Sequence, residues 1–549
     1  MVAFSSIRTL SRVAALSLVV AACEPGGGVT TDTAGEVAST NQDAEATEAS
    51  SDAMNVTDAT SATDAPTETG DAAPYCGDGE LQEEQGEECD GVDVGAQTCA
   101  SKGFVDGGVL ACTDSCEFEL SGCFSCSGWG RLLGGPGMEN GRAIALDSNA
   151  NVYITGSTSG QLDGRPAEER DAFIAKYGVD GHEQWTRTIG TALDDDGLVI
   201  AVDGAEAIYV AGSTDGALDG FVNTGQKDIF LMRLNSDGET QWTLQYGSIY
   251  NDVPSGLLVD SEANVYLYGA NRGPLDGNEP IGLTDAFLTK LGADGSKQWT
   301  RVFGTAELDN NGAHAGVGAA AIDTSDNIFL VGTTEGLLGD EAFGSADVFV
   351  AKLDTDGLLL WARQLGSASY DSGYDVSVDP SGNVLVLGHS PRPEVDPPQD
   401  SLDFSVSKLD TEGGELWRRH YGTDYDDYVY GISATSDGGF WVVGGTRGDL
   451  GGAPPEGLID TFFSRHDEDG ETLWVHQFAS GSISNLSGSV VDPLDNLYAV
   501  GTASGALDGV ENAGGNDVMV LRACASADRG GGHERGGAPR LGSGRAVPH

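Results

Sequence analysis

The sequence predicts an all-β protein, a seven-bladed β-propeller of four-stranded blades preceded by a small disulfide-rich module and a disordered tether. Three observations predict it. Tryptophan recurs at Trp129, Trp185, Trp242, Trp299, Trp361, Trp417 and Trp474, with spacings of 56, 57, 57, 62, 56 and 57 residues. Each period holds four short runs of β-forming residues and no helical pattern. A fixed period of this length indicates a repeat architecture.

Residues 1–22 have the organisation of an export signal. Arg8 and Arg12 precede an apolar run that is too short to span a bilayer. The run ends Val20-Ala21-Ala22-Cys23, which resembles the lipobox of bacterial lipoproteins and implies a lipid on Cys23. Glu24 stands where the usual inner-membrane retention signal has Asp. The resemblance therefore implies an anchor in the outer membrane or at the cell surface. The alternative is an ordinary secretory signal with a chance cysteine.

The segments at the two ends of the exported chain are expected to lack a core. Residues 23–75 follow the signal, and positions 24–74 contain eleven acids and no aromatic, Lys or Arg residue. Such a segment buries too little apolar area to offset its chain entropy, and charge repulsion extends it. Residues 525–549 hold seven Gly and four Arg and are predicted to be a loose tail.

The formal charge of −58 limits the partners of the protein. An acidic surface disfavours nucleic acid and anionic lipid surfaces. It is compatible with cations, with a cationic partner, or with a role in solubility alone.

Residues 76–125 form the predicted disulfide module. Its cysteines are Cys76, Cys89, Cys99, Cys112, Cys116 and Cys123. The stretch CGDGELQEEQGEECDG (76–91) resembles the cysteine-rich repeats of myxobacterial surface proteins. So short a segment needs covalent links in place of a core. The six cysteines allow fifteen pairings, and the sequence does not choose among them. Zinc is the competing interpretation, but Cys123-x-x-Cys126 has no second such pair and no nearby His.

Residues 126–524 form the predicted propeller. One run in each period is apolar and ends in Gly, as in NVYITG (151–156) and NVYLYG (264–269). Another begins with Asp and has Lys or Arg five residues later, as in DAFIAKY (171–177). These runs resemble the seven-bladed β-propeller repeat family of bacterial exported proteins. The resemblance implies the fold and no defined activity.

The stretch KLDTDGLLLW (352–361) has relatives in other periods, for example LGADGSKQW (291–299). Asp-Gly between two β runs indicates a tight hairpin. An EF-hand loop would need further acidic positions that are absent here.

At the ends of the propeller this hairpin is missing. Alignment places Cys126 and Cys524 at the positions of Glu239 and Asn235, which face each other across one turn. We therefore predict a Cys126–Cys524 disulfide that closes the ring.

Long loops on one face carry the candidate binding residues. Six of the seven positions ten residues after each Trp are acidic: Glu139, Asp195, Asp252, Asp309, Asp371 and Asp427, with Ser484 as the seventh. A second loop adds Asp163, Asp219, Asp276 and Asp508. The ring of carboxylates predicts a hard-cation site for calcium. The alternative is that each Asp caps the backbone of its own loop.

Three functions follow as hypotheses. The first is an exported, monomeric lipoprotein that displays the propeller for non-catalytic binding of a protein or glycan, with the membrane reached through the N-terminal lipid. The second is a propeller hydrolase or lyase acting on carbohydrate. The third is a structural envelope scaffold with no small ligand. The sequence offers no catalytic set. Local irregularity at 308–320, 390–400 and 452–457 points to blades 4 to 6 as the place to look for a specific partner, and the alternative is tolerated drift of the loops.

Overall fold

A computed structural model of the chain describes residues 89, 97, 111–113, 118–119 and 128–525, with gaps at 165–166, 168, 310–319, 340, 392–401, 453, 480, 482 and 508–509. The described residues belong to one compact unit, Ala72–His549. The predicted signal peptide, the tether, Cys23 and nearly all of the tail lie outside the described residues, so those predictions are not tested. Within the described part, no helix has the length and apolar character needed to cross a membrane.

Two short strands, β1 (Ala111–Cys112) and β2 (Phe118–Glu119), pair in the predicted disulfide module. Cys89 and Cys112 form a disulfide there. The other four cysteines predicted for the module, Cys76, Cys99, Cys116 and Cys123, lie outside the described residues.

Seven four-stranded antiparallel sheets follow, which confirms the predicted propeller. Blades 1 to 4 consist of β4 (Glu139–Leu146), β5 (Val152–Thr158), β6 (Asp171–Tyr177), β7 (Glu183–Ile189); β8 (Asp195–Val202), β9 (Ile208–Thr214), β10 (Asp228–Leu234), β11 (Thr240–Tyr246); β12 (Val253–Val259), β13 (Val265–Asn271), β14 (Asp285–Leu291), β15 (Lys297–Phe303); and β16 (Ala320–Ile322), β17 (Ile328–Thr334), β18 (Asp347–Leu353), β19 (Leu359–Leu365).

Blades 5 to 7 consist of β20 (Ser372–Val378), β21 (Val384–His389), β22 (Phe404–Leu409), β23 (Glu415–Tyr421); β24 (Asp427–Ala434), β25 (Phe440–Thr446), β26 (Asp460–His466), β27 (Thr472–Phe478); and β28 (Ser484–Val491), β29 (Leu497–Ala503), β30 (Asp517–Ala523), β3 (Trp129–Leu133). A short 3₁₀ turn, Leu218–Gly220, is the one helical element among the described residues.

The core lies between the blades. The second and third strands of each blade are almost wholly buried, as in β13 and β14. Their side chains pack against the neighbouring blade: one cluster joins Tyr153 and Ile174 of blade 1 to Ile208 and Phe230 of blade 2. Strands buried on both faces need continuous apolar runs, which explains why the runs do not alternate with polar residues.

The Asp-Gly turns are hairpins, as predicted, and they also receive a tryptophan from the preceding blade. In the turn of KLDTDGLLLW, Asp354 accepts hydrogen bonds from the backbone N–H groups of Asp356 and Leu358. Gly357 has φ of +73°, a conformation that glycine adopts without penalty. A Cβ on Gly357 would lie 2.7 Å from the Trp299 ring of the preceding blade.

The same contact recurs around the ring. The indole Nε1 of Trp129 donates to the carbonyl of Val179 at 3.0 Å, and that of Trp242 donates to the carbonyl of Ala293 at 3.1 Å. Trp185, Trp361 and Trp417 donate in the same way to Ser236, Thr411 and Glu468. Each turn therefore forms a socket, by which we mean the turn glycine and the turn carbonyl that contact the indole ring. This contact fixes the position of the preceding blade.

The lysine of the third strand supports the socket in blades 1, 3, 4 and 5. In blade 3 the Lys290 ammonium donates to the carbonyl of Thr355 in the next blade at 3.0 Å. It also lies 5.0 Å from the centre of the Tyr266 ring and 3.8 Å from the Asp260 carboxylate. A cation held between a ring face, a carboxylate and a carbonyl is stabilised at low exposure.

The first propeller strand closes the ring by completing the last blade, as the spacing of the repeats predicts. β3 pairs with β30, and Trp129 lies opposite Arg522 as Trp242 lies opposite Arg233. Asn235 and Glu239 face each other across their turn, with Asn235 N–H donating to the Glu239 carbonyl at 3.0 Å. Cys524 is disulfide-bonded. Cys126 lies outside the described residues, so its pairing with Cys524 stays a prediction.

We expect Gly357→Ala to destabilise the protein more than Gly277→Ala. Both glycines have positive φ, +73° and +80°, but nothing lies within 4 Å of a Cβ placed on Gly277. The Gly277 variant should lose only the conformational advantage of glycine, about 1 kcal/mol. The Gly357 variant must also displace Trp299, which raises the cost to about 2–4 kcal/mol. Urea unfolding of both variants measures the difference, and equal losses would contradict the socket.

We also expect peptide mass spectrometry of the oxidised, unreduced protein to recover Cys126 linked to Cys524. Removal of the link should lower the stability by up to about 6 kcal/mol in the loop-entropy model, because the closed loop spans about 400 residues. Recovery of either cysteine as a free thiol, or in another pair, would contradict the predicted closure.

Candidate functional site

The long-loop face is the side of the propeller formed by two kinds of connection. One joins the second and third strands of a blade, and the other joins its outer strand to the inner strand of the next blade. Backbone hydrogen bonds tie the two together: Asp252 N–H donates to the carbonyl of Lys227 at 2.9 Å, and Asp371 N–H donates to that of Ala346 at 2.9 Å. The face is therefore a continuous, braced surface.

The six predicted acidic residues lie on this face at the start of the inner strands, or just before them, and are almost fully buried. Each accepts a hydrogen bond from the backbone N–H four residues earlier. The donors are Gly135 for Glu139, Thr191 for Asp195, Ser248 for Asp252, Thr305 for Asp309, Ser367 for Asp371 and Thr423 for Asp427. Ser484 is buried at the equivalent position. These bonds are the loop-capping chemistry of Asp.

A second buried carboxylate accompanies most of them, and the sequence analysis did not assign it to the site. The Asp that begins each third strand caps its own loop: Asp228 accepts from Thr224 N–H at 3.0 Å and Asp347 from Phe343 N–H at 2.8 Å. A Cβ on Gly247 would lie 2.5 Å from Asp228 Oδ1 and 2.9 Å from Asp252 Oδ2. The glycine therefore separates two close carboxylates. The signal for the pair was the constant 24-residue interval, as from Asp228 to Asp252.

Burial raises the pKa of four of the six loop acids. Desolvation raises the pKa of Asp252 to about 6, the neighbouring Asp228 charge adds to the rise, and hydrogen bonds from Ser248 oppose it. Desolvation likewise raises the pKa of Asp195, Asp427 and Glu139, against their hydrogen bonds from the loops.

The second set of predicted loop acids also contacts the protein itself. Asp163 accepts from Thr188, Asp219 accepts from the Thr243 hydroxyl at 2.6 Å, and Asp276 accepts from the Thr300 hydroxyl at 2.7 Å. Asp508 lies outside the described residues. Across the described ranges, no group of three or more His, Cys, Asp or Glu residues is arranged to hold a metal ion. Calcium binding therefore stays a prediction that the geometry does not test.

Exposed apolar side chains concentrate on the long-loop face. Among the described residues, 22 large apolar side chains are exposed, and 15 of them lie on these loops. They are Met138, Leu193, Val222, Ile249, Tyr250, Ile281, Leu283, Leu337, Phe343, Tyr370, Leu402, Tyr425, Leu458, Ile483 and Val510. Val222 is 76% exposed and Tyr425 63%. Exposed apolar area gathered on one side of a molecule is typical of interaction surfaces.

Comparison with known proteins supports the repeat architecture. The beta-propeller repeat family, SBBP, matches residues 128–163 and 360–390. The regulatory protein FlaEY of Caulobacter vibrioides is 27% identical over 369 residues, which cover 59% of this chain and 38% of FlaEY. An uncharacterized WD repeat-containing protein of Acanthamoeba polyphaga mimivirus is 20% identical over 496 residues, which cover 68% of this chain and 36% of that protein. The chain spans less than two fifths of either relative.

Solved structures with similar blades include enzymes. A polysaccharide lyase, the PL25 ulvan lyase, aligns at 11% identity and a TM-score of 0.43, over 71% of this chain and 95% of the lyase. A puromycin hydrolase aligns at 12% identity and a TM-score of 0.38, over 66% of this chain and 50% of the hydrolase. Similarity at this level transfers no activity to this chain.

We expect the free energy of unfolding of Asp252→Asn to increase relative to that of the wild type as pH rises from about 4 to about 6. The folded-state pKa of Asp252 is about 6, above its usual 3.8, so the ionised group weakens folding once pH passes its unfolded value. Above about pH 6 the free energy of unfolding of the wild type has fallen by about 2–3 kcal/mol, whereas that of the variant, whose amide does not ionise, has not. Urea unfolding at several pH values measures this.

Asp252→Ala is the control, because it also removes the acceptor of Ser248 N–H. That variant should be less stable than Asp252→Asn at every pH, since a buried donor is left unpaired. A constant difference between wild type and Asp252→Asn across the pH range would contradict the raised pKa.

Addition of calcium distinguishes the predicted metal site from the loop-capping alternative. If the six carboxylates only cap their own loops, as their hydrogen bonds from backbone N–H groups indicate, calcium does not stabilise the mature protein. The melting temperature measured with calcium and then with chelator should agree. A calcium-dependent rise that is lost in Asp371→Asn would instead establish the metal site.

Proposed function

We propose that this chain is an exported lipoprotein, lipidated on Cys23, that displays its propeller at the cell surface as a monomeric, non-catalytic binding module. The binding surface is the long-loop face. The observation that carries the proposal is the concentration of exposed apolar side chains there, 15 of the 22 among the described residues. Burial of apolar area is the main source of affinity between macromolecules.

The rigidity of the face supports binding by a preformed surface. The loops are capped by buried carboxylates and braced by backbone bonds, as between Asp252 and Lys227. A rigid surface loses little conformational entropy when it binds. The net charge of −58 disfavours nucleic acid as the partner and leaves a protein or glycan.

The tether of residues 23–75 supports display away from the membrane. An unstructured segment of this length spans roughly 40 Å between its ends, and repulsion among its acids lengthens it.

The experiment places a photoreactive amino acid at one exposed position at a time in living cells. Val222 and Tyr425 report on the long-loop face, while Leu358 and Leu494 are matched exposed positions in the short turns of the opposite face. Discrete adducts from Val222 or Tyr425 alone are expected. Adducts from both faces, or from the short turns alone, would contradict the assigned surface. No adducts at any of the four positions would also contradict it and would favour the enzyme or the scaffold.

Anchoring has its own test. Cys23→Ser should abolish incorporation of a labelled fatty acid and release the protein from the membrane fraction, because the thiol that carries the lipid is absent. The wild-type protein labelled in parallel is the control, since it differs from the variant only at Cys23. A wild-type protein that incorporates no fatty acid would show that the segment is an ordinary secretory signal, and unchanged labelling of Cys23→Ser would contradict Cys23 as the lipidated residue.

A further inference from the structure

Blade 5 departs from the repeat at one position of its third strand. The glycine that ends the apolar run of each second strand lies opposite a large side chain of the third strand in six blades: Phe173, Phe230, Phe287, Phe349, Phe462 and Met519. In blade 5 the residue opposite Gly388 is Ser405. The loss of a phenyl group beside a glycine leaves space at this junction.

A second departure places a cation in that space. Arg418 lies opposite Ser407 in the outer strand, where the other blades have Thr186, Thr243, Thr300, Ala362, Val475 and Gly130. Its Nη1 donates to the carbonyl of Gly366 in blade 4 at 3.1 Å, and its Nη2 donates to Glu415 at 2.7 Å. These two bonds hold the guanidinium across the junction between blades 4 and 5.

A cavity of ≈ 10 Å³ lies at this junction and is partly open to solvent. Its polar lining consists of Asp371, Ser390, Ser405, Ser407 and Arg418. Two of the buried polar atoms have no partner in the described part of the chain: Asp371 Oδ1, an acceptor, and Arg418 Nε, a donor. Both residues line the cavity, and buried polar atoms left unpaired are costly unless a ligand or water bonds to them.

We propose that this cavity is a binding site for one hydroxyl group of a neutral sugar, which donates to Asp371 Oδ1 and accepts from Arg418 Nε. The volume admits about one water-sized group, so only a hydroxyl enters and the rest of the sugar lies outside. An anion is disfavoured because two buried carboxylates, Asp347 and Asp371, flank Gly366. A cation is disfavoured by Arg418. A neutral group that both donates and accepts remains.

Water has the same hydroxyl chemistry and is the alternative occupant. A sugar site deepens the proposed function because it names the class of ligand. It rests on that function because it requires a protein that binds a sugar without cleaving it. Two of the lining residues, Ser390 and Asp371, stand at the ends of long-loop connections. The cavity therefore lies at the end of the junction that is nearest to the proposed surface.

The experiment measures binding of methyl glycosides of glucose, galactose, mannose and N-acetylglucosamine to the mature protein by saturation-transfer NMR and calorimetry. At least one should bind. Arg418→Thr, which installs the residue of blades 1 to 3, should weaken that binding about tenfold or more, because it removes a charge-assisted hydrogen bond. Ser405→Phe, which restores the phenyl group of other blades, should abolish it by filling the cavity.

Arg419→Thr is the matched control: it removes the same charge from the next residue, whose guanidinium contacts Asp469 and Glu471 away from the cavity. It should leave binding unchanged. Failure of all four glycosides to bind, or equal binding by Arg418→Thr and wild type, overturns the proposal and leaves a hydration site. Adducts from Val222 or Tyr425 in that case show that the proposed function stands while this inference fails.

Discussion

The contact on which the ring depends is the packing of the outer-strand tryptophan of one blade against the tight turn of the next blade, which occurs at six of the seven junctions because blade 7 has no such turn. Sheets that pack only through apolar faces slide with little penalty, whereas an indole N–H bonded to one carbonyl fixes their register. Trp129 and Val179 are 50 residues apart, and Trp242 and Ala293 are 51. The same contact therefore recurs at nearly the same sequence separation, although the repeat itself varies from 56 to 62 residues.

The turn needs glycine for two reasons that act together. Its positive φ allows the tight return of the chain, and the missing Cβ leaves room for the ring of the neighbouring tryptophan. The basic residue of the third strand then bridges to the same turn, as Lys290 does to Thr355. Local turn chemistry and long-range packing thus rely on the same few residues, which is why the motif recurs from blade to blade.

Much of this was predictable from the sequence. The strands, the seven blades and the closure of the ring by β3 follow from apolar runs and spacing alone, because a fully buried strand leaves an uninterrupted apolar signal. The candidate site was only half predicted. Asp252 stood out as a loop acid, but its partner Asp228 was assigned only to a strand start, since the sequence does not show that one glycine separates them.

The cavity of blade 5 illustrates the remaining limit. Ser405 and Arg418 differ from their counterparts in other blades, and aligning the seven repeats position by position reveals both. Their proximity to Asp371 depends on how blade 4 packs on blade 5, which no local pattern encodes. The same holds for the exposed apolar side chains: single residues such as Val222 and Tyr425 are ordinary in sequence, and only the folding of alternate loops to one side gathers them.

The most direct measurement of the central claim is a double-mutant cycle between Trp299 and Gly357, read as the free energy of unfolding in urea. If the ring of Trp299 occupies the space above the turn, Gly357→Ala should be costly in the wild type and should cost only about 1 kcal/mol in a Trp299→Ala background. The account predicts this loss of additivity. Strictly additive effects would contradict it, because they would show that tryptophan and turn stabilise the ring independently.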